Sequence, residues 1–187
     1  MRRALVTGGC GFIGSSLTKK LVEEGWEVDV VDDMSGGSIE SLEGLKLRIL
    51  PGGSFLGPFY DSLRMGEGQP ITTPSIHTER KQDTVLVIPD NFASDHVLSH
   101  VHQGYYNVVF HQAAIPRVSY SVENPAETTY TNVFSTVRLL EACAGKVDRV
   151  VWASSSSIYG GAQFMPTSEH ERGKNLLYLL TLGKSLQ

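Results

Sequence analysis

A short apolar strand followed at once by glycines in steps of three constrains this chain more than any other feature. Ala4-Leu5-Val6 runs into Thr7, and then come Gly8, Gly11 and Gly14. The stretch beyond them is amphipathic, with Leu17, Leu21 and Val22 on one side and Lys19, Lys20, Glu23 and Glu24 on the other. That succession predicts a buried parallel strand, a tight turn and a helix. Glycines suit the turn because a backbone without Cβ bends sharply, approaches a pyrophosphate closely and lets the helix pack on the strand. The helix start then offers free N–H groups and a positive dipole end to an anion. The spacing is Gly-x-x-Gly-x-x-Gly, which differs from the Gly-x-Gly-x-x-Gly of the common dinucleotide fingerprint.

A second strand supplies the context. Val28-Asp29-Val30-Val31 ends in Asp32-Asp33, close to twenty residues past the glycines. A dinucleotide site needs an acid there, to accept hydrogen bonds from the adenosine ribose hydroxyls. An acid also repels a ribose 2′-phosphate, so the expected cofactor is NAD rather than NADP. The plainer alternative makes Asp32 and Asp33 soluble turn residues ahead of Met34-Ser35-Gly36-Gly37. The order of strand, glycine turn, helix, strand and acid favours the ribose.

The chain as a whole fits one domain, residues 1–187, with 41% hydrophobic and 19% charged residues and a formal net charge of −4. No basic surface suggests nucleic acid, and no apolar tract is long enough to span a membrane. Two cysteines, Cys10 and Cys143, make no disulfide framework and fit a reducing, cytoplasmic setting. Met1-Arg2-Arg3 leads straight into the first strand, so no signal peptide is expected.

Further along, Ser38 to Leu42 reads as a helical turn and Leu45 to Leu50 as an alternating strand. Residues 51–84, rich in Gly, Pro, Ser and Thr without a period, read as an insertion or flap. Val85-Leu86-Val87-Ile88 is a buried-strand pattern followed by Pro89-Asp90-Asn91, and Ser94 or Asp95 can cap a helix carrying Val97, Leu98 and Val101. Val108-Val109-Phe110 is a strand ending in His111-Gln112-Ala113-Ala114. From Ala126 to Ala144 the period predicts a long helix with Tyr130, Val133, Phe134, Val137, Leu140 and Ala144 on its inner face. Val150-Val151-Trp152-Ala153 is a further strand, ending in a run of serines. Continuous apolar strands alternating with helices predict an α/β, doubly wound parallel sheet of Rossmann type, with its ligand over the carboxyl ends of the strands.

Several segments in this order resemble the extended short-chain dehydrogenase/reductase family, in particular its nucleotide-sugar 4-epimerases. They are Thr7-Gly8-Gly9-Cys10-Gly11-Phe12-Ile13-Gly14, Val31-Asp32-Asp33-Met34-Ser35, Phe110-His111-Gln112-Ala113-Ala114, Ser121-Val122-Glu123-Asn124-Pro125, Thr131-Asn132-Val133, Leu139-Leu140-Glu141-Ala142 and Ala153 to Gly160. The resemblance runs to about Gly173 outside the insertion. It implies that Gly8, Gly11, Phe12, Ile13 and Gly14 hold the pyrophosphate of NAD and that Asp32, with Asp33 beside it, serves the adenosine ribose. It places Asp90 and Asn91 beside the adenine and Ala113 and Ala114 along the path to the nicotinamide ribose. Asn132 would brace the helix behind them, and Arg117, Ser119 and Ser156 would face the sugar of a UDP-sugar. Ser155 falls at the family's catalytic hydroxyl and Tyr178 near its catalytic tyrosine. In the family, a tyrosine phenolate takes a proton from the sugar hydroxyl while hydride passes to the nicotinamide, and serine steadies the oxygen's developing charge.

The chain departs from the family at one point of chemistry. The pattern Tyr-x-x-x-Lys would put lysine at 182, which is Leu182; Lys184 lies six beyond Tyr178 and Lys174 four before it. The family also continues into a C-terminal substrate domain, so this chain is expected to be a C-terminally truncated form that associates as a homodimer or with another chain. Two readings follow: an NAD-dependent epimerase, and a dinucleotide-binding module or subunit without turnover. A 4,6-dehydratase or reductase is a further alternative, but the dehydratase branch is expected to carry Asp-Glu where this chain has Ser156-Ser157. His96 and His100, four apart on a helix, have zinc-ligand spacing but lack the remaining ligands. They are expected to be exposed, with no metal bound, and His111 to be a satisfied structural histidine.

Overall fold

The computed structural model describes residues 2–50, 84–159 and 166–168. The first strand, β1 (Arg3–Thr7), lies inside a six-stranded sheet that also holds β2 (Glu27–Asp32), β3 (Lys46–Ile49), β4 (Thr84–Pro89), β5 (Val108–His111) and β6 (Arg149–Trp152). The strand order is β3-β4-β2-β1-β5-β6, and every pairing is parallel. The chain winds outward from β1 on one side and then returns to β5 on the other. Strand order therefore reverses between β1 and β5, and the crevice at their carboxyl ends is where such a sheet takes a ligand.

Continuous apolar strands arise because the sheet is covered on both faces. Ala4, Val6, Val28, Val30, Val85 and Val87 form one core with Leu21 of α1 (Phe12–Glu23) and Leu42 of the 3-10 turn Ile39–Leu42. Leu5, Val31, Leu86, Ile88 and Val109 point the other way, into a core with Val97 and Val101 of α2 (Asp95–His102) and with Leu139, Ala142 and Cys143. Adjacent residues of one strand thus serve opposite cores, as the period of two requires. Asp29, in the same buried run of β2, accepts a hydrogen bond from the Tyr106 hydroxyl at 3.1 Å. Ser94 caps α2, its hydroxyl accepting from the Val97 N–H at 3.4 Å.

Among the described residues, the sheet, α1, α2 and residues 138–152 make one compact unit; residues 114–137, 153–159 and 166–168 belong to a second. The second unit begins with α3 (Val118–Glu123) and α4 (Pro125–Thr129), and α4 continues through a π-helical stretch, Tyr130–Ser135, into α5 (Thr136–Cys143). The inner face of this long helix differs from the expected one. Thr128, Asn132, Ser135, Thr136, Leu139, Ala142 and Cys143 are buried, whereas Phe134 and Val137 are half exposed. Both faces repeat at the helical period, and side-chain size does not choose between them. The buried face carries an amide whose hydrogen bonds are satisfied within the unit and small side chains that allow close packing.

The histidines of α2 also differ from expectation. His100 is buried and His96 half-buried, with ring centroids 5.0 Å apart. His100 Nδ1 donates to the His96 carbonyl at 2.7 Å, which draws its ring against the helix. Among the described residues no three His, Cys, Asp or Glu side chains converge as a metal site would require. None of the described helices is long and apolar enough to cross a membrane. Residues 51–83 of the expected insertion lie outside the described residues, and Thr84 begins β4.

Candidate functional site

The glycine turn joins β1 to α1 in the crevice where strand order reverses. Gly8 has φ +68°, a left-handed conformation that disfavours any residue with a Cβ, and a Cβ there would also meet Ala113 N at 2.8 Å. Its N–H donates to the Val31 carbonyl at 2.8 Å, and its carbonyl accepts from Gly11 N at 3.1 Å. Gly14 stands so close to Gly8 that a Cβ would collide with the Gly8 carbonyl, so the helix lies directly on the turn. Gly11 is the N-cap of α1, with no side-chain cap and no acid in the first turn. A helix start without a side-chain cap can offer first-turn N–H groups and the positive end of its dipole to an anion. Phe12 and Ile13, in that first turn, are 90% and 65% exposed, apolar side chains left uncovered beside the turn.

Thr7 ties the turn to β5. Its hydroxyl oxygen accepts from Gln112 N at 3.2 Å and Ala113 N at 3.1 Å, and lies 2.7 Å from His111 Nδ1. With two N–H groups already donating to it, the hydroxyl donates its own O–H to Nδ1, which leaves the ring N–H of His111 on Nε2. His111 is buried, with the Phe92 ring 4.8 Å from its own, as a structural histidine should be. The sequence offered no signal for Thr7, since a β-branched residue at a strand end is ordinary.

Asp32 ends β2 beside the turn. It is 7% exposed, and its two carboxylate oxygens each hold a main-chain donor, Oδ2 from Cys10 N and Oδ1 from Met34 N, both at 2.9 Å. Burial raises its pKa above the ordinary carboxylate value; the Met34 and Cys10 N–H groups oppose that, and the neighbouring charge of Asp33 adds to it. Each carboxylate oxygen retains a second lone pair, so the group can still accept from ribose hydroxyls. Asp33 is exposed and binds Ser35, accepting from its N–H at 2.9 Å and its hydroxyl at 2.6 Å. Asp90 donates its N–H to the Asp32 carbonyl at 3.2 Å, and Asn91 turns back to accept from Ala93 N at 2.8 Å. Cys10 is wholly buried, and desolvation, with the charge of Asp32 second, pushes its thiol up to about 12. It is an inert packing residue in the turn.

In the second unit, Asn132 brackets Ile115. Its Oδ1 accepts from Ile115 N at 2.8 Å and its Nδ2 donates to the Ile115 carbonyl at 3.0 Å. This pair fixes the segment that follows Ala114, from a π-helical stretch, a form often found at functional sites. Arg117 is the N-cap of α3 without a side-chain cap bond, and Arg117 and Ser119 are exposed. Ser155 is partly buried, and its Oγ accepts from Ser157 N at 3.2 Å at the start of the 3-10 turn Ser156–Tyr159; Ser156 is exposed. Tyr178, with Leu182, Lys174 and Lys184, lies outside the described residues.

The sequence model of the NAD dependent epimerase/dehydratase family matches residues 4–178. The chain belongs to this family. Its cofactor is NAD. Members similar to it include a UDP-glucose 4-epimerase of Mus musculus, 29% identical over 170 residues, which are 90% of this chain and 42% of the relative. A UDP-N-acetylglucosamine 4-epimerase from Methanobrevibacter ruminantium, in complex with UDP-N-acetylmuramic acid, shares the fold with a TM-score of 0.72 at 23% identity. It covers 99% of this chain and 47% of its own. The UDP-glucose 4-epimerase of Thermus thermophilus, in complex with NAD, has a TM-score of 0.69 at 25% identity, over 98% of this chain and 48% of its own. The chain thus spans less than half the length of these family members. The observed turn fits the family's cofactor: a glycine floor that a Cβ would fill, an uncapped helix start and a buried acid at the end of β2.

Proposed function

We propose that this chain carries the NAD-binding part of a nucleotide-sugar epimerase, one that inverts C4 of a UDP-sugar. The observation that carries the reading is the uncapped glycine turn closing on Asp32, in a chain of the epimerase/dehydratase family. The turn and α1, through Gly8, Gly11, Phe12, Ile13 and Gly14, receive the pyrophosphate. Asp32 accepts from the adenosine ribose and repels a 2′-phosphate. Asp90 and Asn91 border the adenine, and Ala113 and Ala114 the nicotinamide ribose. When bound, NAD supplies a reversible hydride acceptor. Tyr178 takes the proton of the sugar hydroxyl, and Ser155 donates a hydrogen bond to the same oxygen. Arg117, Ser119 and Ser156 face the sugar. UDP is the nucleotide because the similar proteins are named for UDP-sugars.

A second reading, a dinucleotide-binding chain without turnover, is favoured by Leu182 standing four residues after Tyr178, where Tyr-x-x-x-Lys requires lysine. Incubation with NAD and UDP-galactose, followed by chromatography of the 4-epimers, separates the two. Epimer formation that falls about a hundredfold or more in Ser155→Ala and Tyr178→Phe supports the epimerase. Intact NAD binding with no epimer formed supports the second reading.

A further inference from the structure

Two adjacent glycines follow the acid of β2, and the fold treats them differently. Among the described residues, a Cβ on Gly36 would meet nothing within 4 Å. One on Gly37 would lie 2.8 Å from the main-chain carbonyl carbon of Cys10, 3.0 Å from Cys10 Cβ and 3.0 Å from Asp32 Oδ2. Neither glycine has a positive φ, so backbone freedom does not explain either one and the difference is one of space. The atoms around Gly37 cannot give way easily. Cys10 is wholly buried, packed with Val6, Val30 and Leu42, and Asp32 is held by two main-chain donors.

We propose that Gly37 is a positioning residue for the adenosine end of NAD, its missing side chain letting residues 33–38 close onto the glycine turn and hold the Asp32 carboxylate in place. The closure is visible on both sides of Gly37. Met34, at φ 60°, turns its N–H onto Asp32 Oδ1 at 2.9 Å, and Ser38 donates its N–H to the Cys10 carbonyl at 3.1 Å. Cys10 in turn donates its own N–H to Asp32 Oδ2 at 2.9 Å. The loop, the turn and the acid are therefore one hydrogen-bonded assembly with Gly37 at its closest approach. Carbon atoms pack at about 3.5 Å or more, so a methyl group at 37 would lift the loop by roughly 0.7 Å. That is enough to stretch the Met34 and Ser38 bonds and release one edge of the carboxylate. Asp32 would then lose hold on the ribose hydroxyls and, with it, part of its rejection of a 2′-phosphate. This inference rests on the assignment of the turn and Asp32 to NAD.

Calorimetry of NAD and NADP binding to the wild type, Gly36→Ala, Gly37→Ala and Asp32→Ala tests it, together with the cofactor-free unfolding midpoint of each. Gly36→Ala should bind NAD within about twofold of wild type. Gly37→Ala should bind NAD about tenfold or more weakly, approach Asp32→Ala in its reduced preference for NAD over NADP, and stay folded. The ratio of the two affinities is the decisive readout, because a general loosening of the fold would weaken both cofactors alike. Gly37→Ala matching Gly36→Ala, losing both cofactors equally, or failing to fold would each overturn the proposal. If the wild type itself binds neither cofactor, the dinucleotide assignment fails first and the proposal falls with it.

Discussion

Among single residues, His96 holds the clearest pH-dependent energy. Its Nε2 is buried without a hydrogen-bond partner among the described residues, and its pKa is lowered by burial first and by the charge of His100 second, with Asp90 opposing. Below the unfolded value near 6.5 the unfolded chain takes up a proton that the folded chain resists. The stability present above that value is therefore lost as pH falls toward the folded pKa. The urea midpoint should drop between about pH 8 and about pH 5.5, and His96→Phe should remove most of the drop while keeping the midpoint at the higher pH. A drop of the same size in both proteins would place the titration elsewhere. Asp32 acts with the opposite sign in the carboxylate range, because its raised pKa makes protonation favour the folded chain.

At the scale of elements, the continuous run of α4, the π-helical stretch and α5 shows a helix choosing its face by hydrogen bonding rather than by bulk. Phe134 at 51% and Val137 at 50% exposure stay outside, while the amide of Asn132 goes in. Asn132→Ala would leave the N–H and carbonyl of Ile115 without their partner, which costs about 1–3 kcal/mol. Urea unfolding should show that loss, whereas Phe134→Ala, on the exposed side, should change stability by about 0.5 kcal/mol or less. Equal losses in the two variants would mean that the bracket does not stabilise this element.

For the molecule as a whole, cofactor binding should appear as stabilisation by mass action. NAD at about a hundred times its dissociation constant adds roughly 2.7 kcal/mol to the folded state. For a chain of this size that corresponds to a rise of about 5–10 °C in the unfolding midpoint. NADP at the same concentration should raise it by less than about 2 °C if Asp32 borders the adenosine ribose as proposed, since its charge would repel a 2′-phosphate. Equal shifts from the two cofactors would remove Asp32 from the ribose.

Local pattern alone determined the strands, the glycine turn and the acid. Burial on both faces writes continuous apolar runs such as Ala4-Leu5-Val6 and Val85-Leu86-Val87-Ile88, and a turn over phosphate needs glycine at fixed steps. A cap at Ser94 or Asp95 and the turn at Ile39–Leu42 were legible for the same reason, since each depends on neighbours in the chain; the structure chose Ser94. Only the tertiary structure decided which face of the long helix turns inward, whether His96 and His100 are covered, and why Gly37 differs from Gly36. It also decided that Thr7 reaches His111, 104 residues away in sequence. These outcomes depend on which distant atoms a side chain meets, and a period of 3.6 or two records a residue's direction without recording its partner.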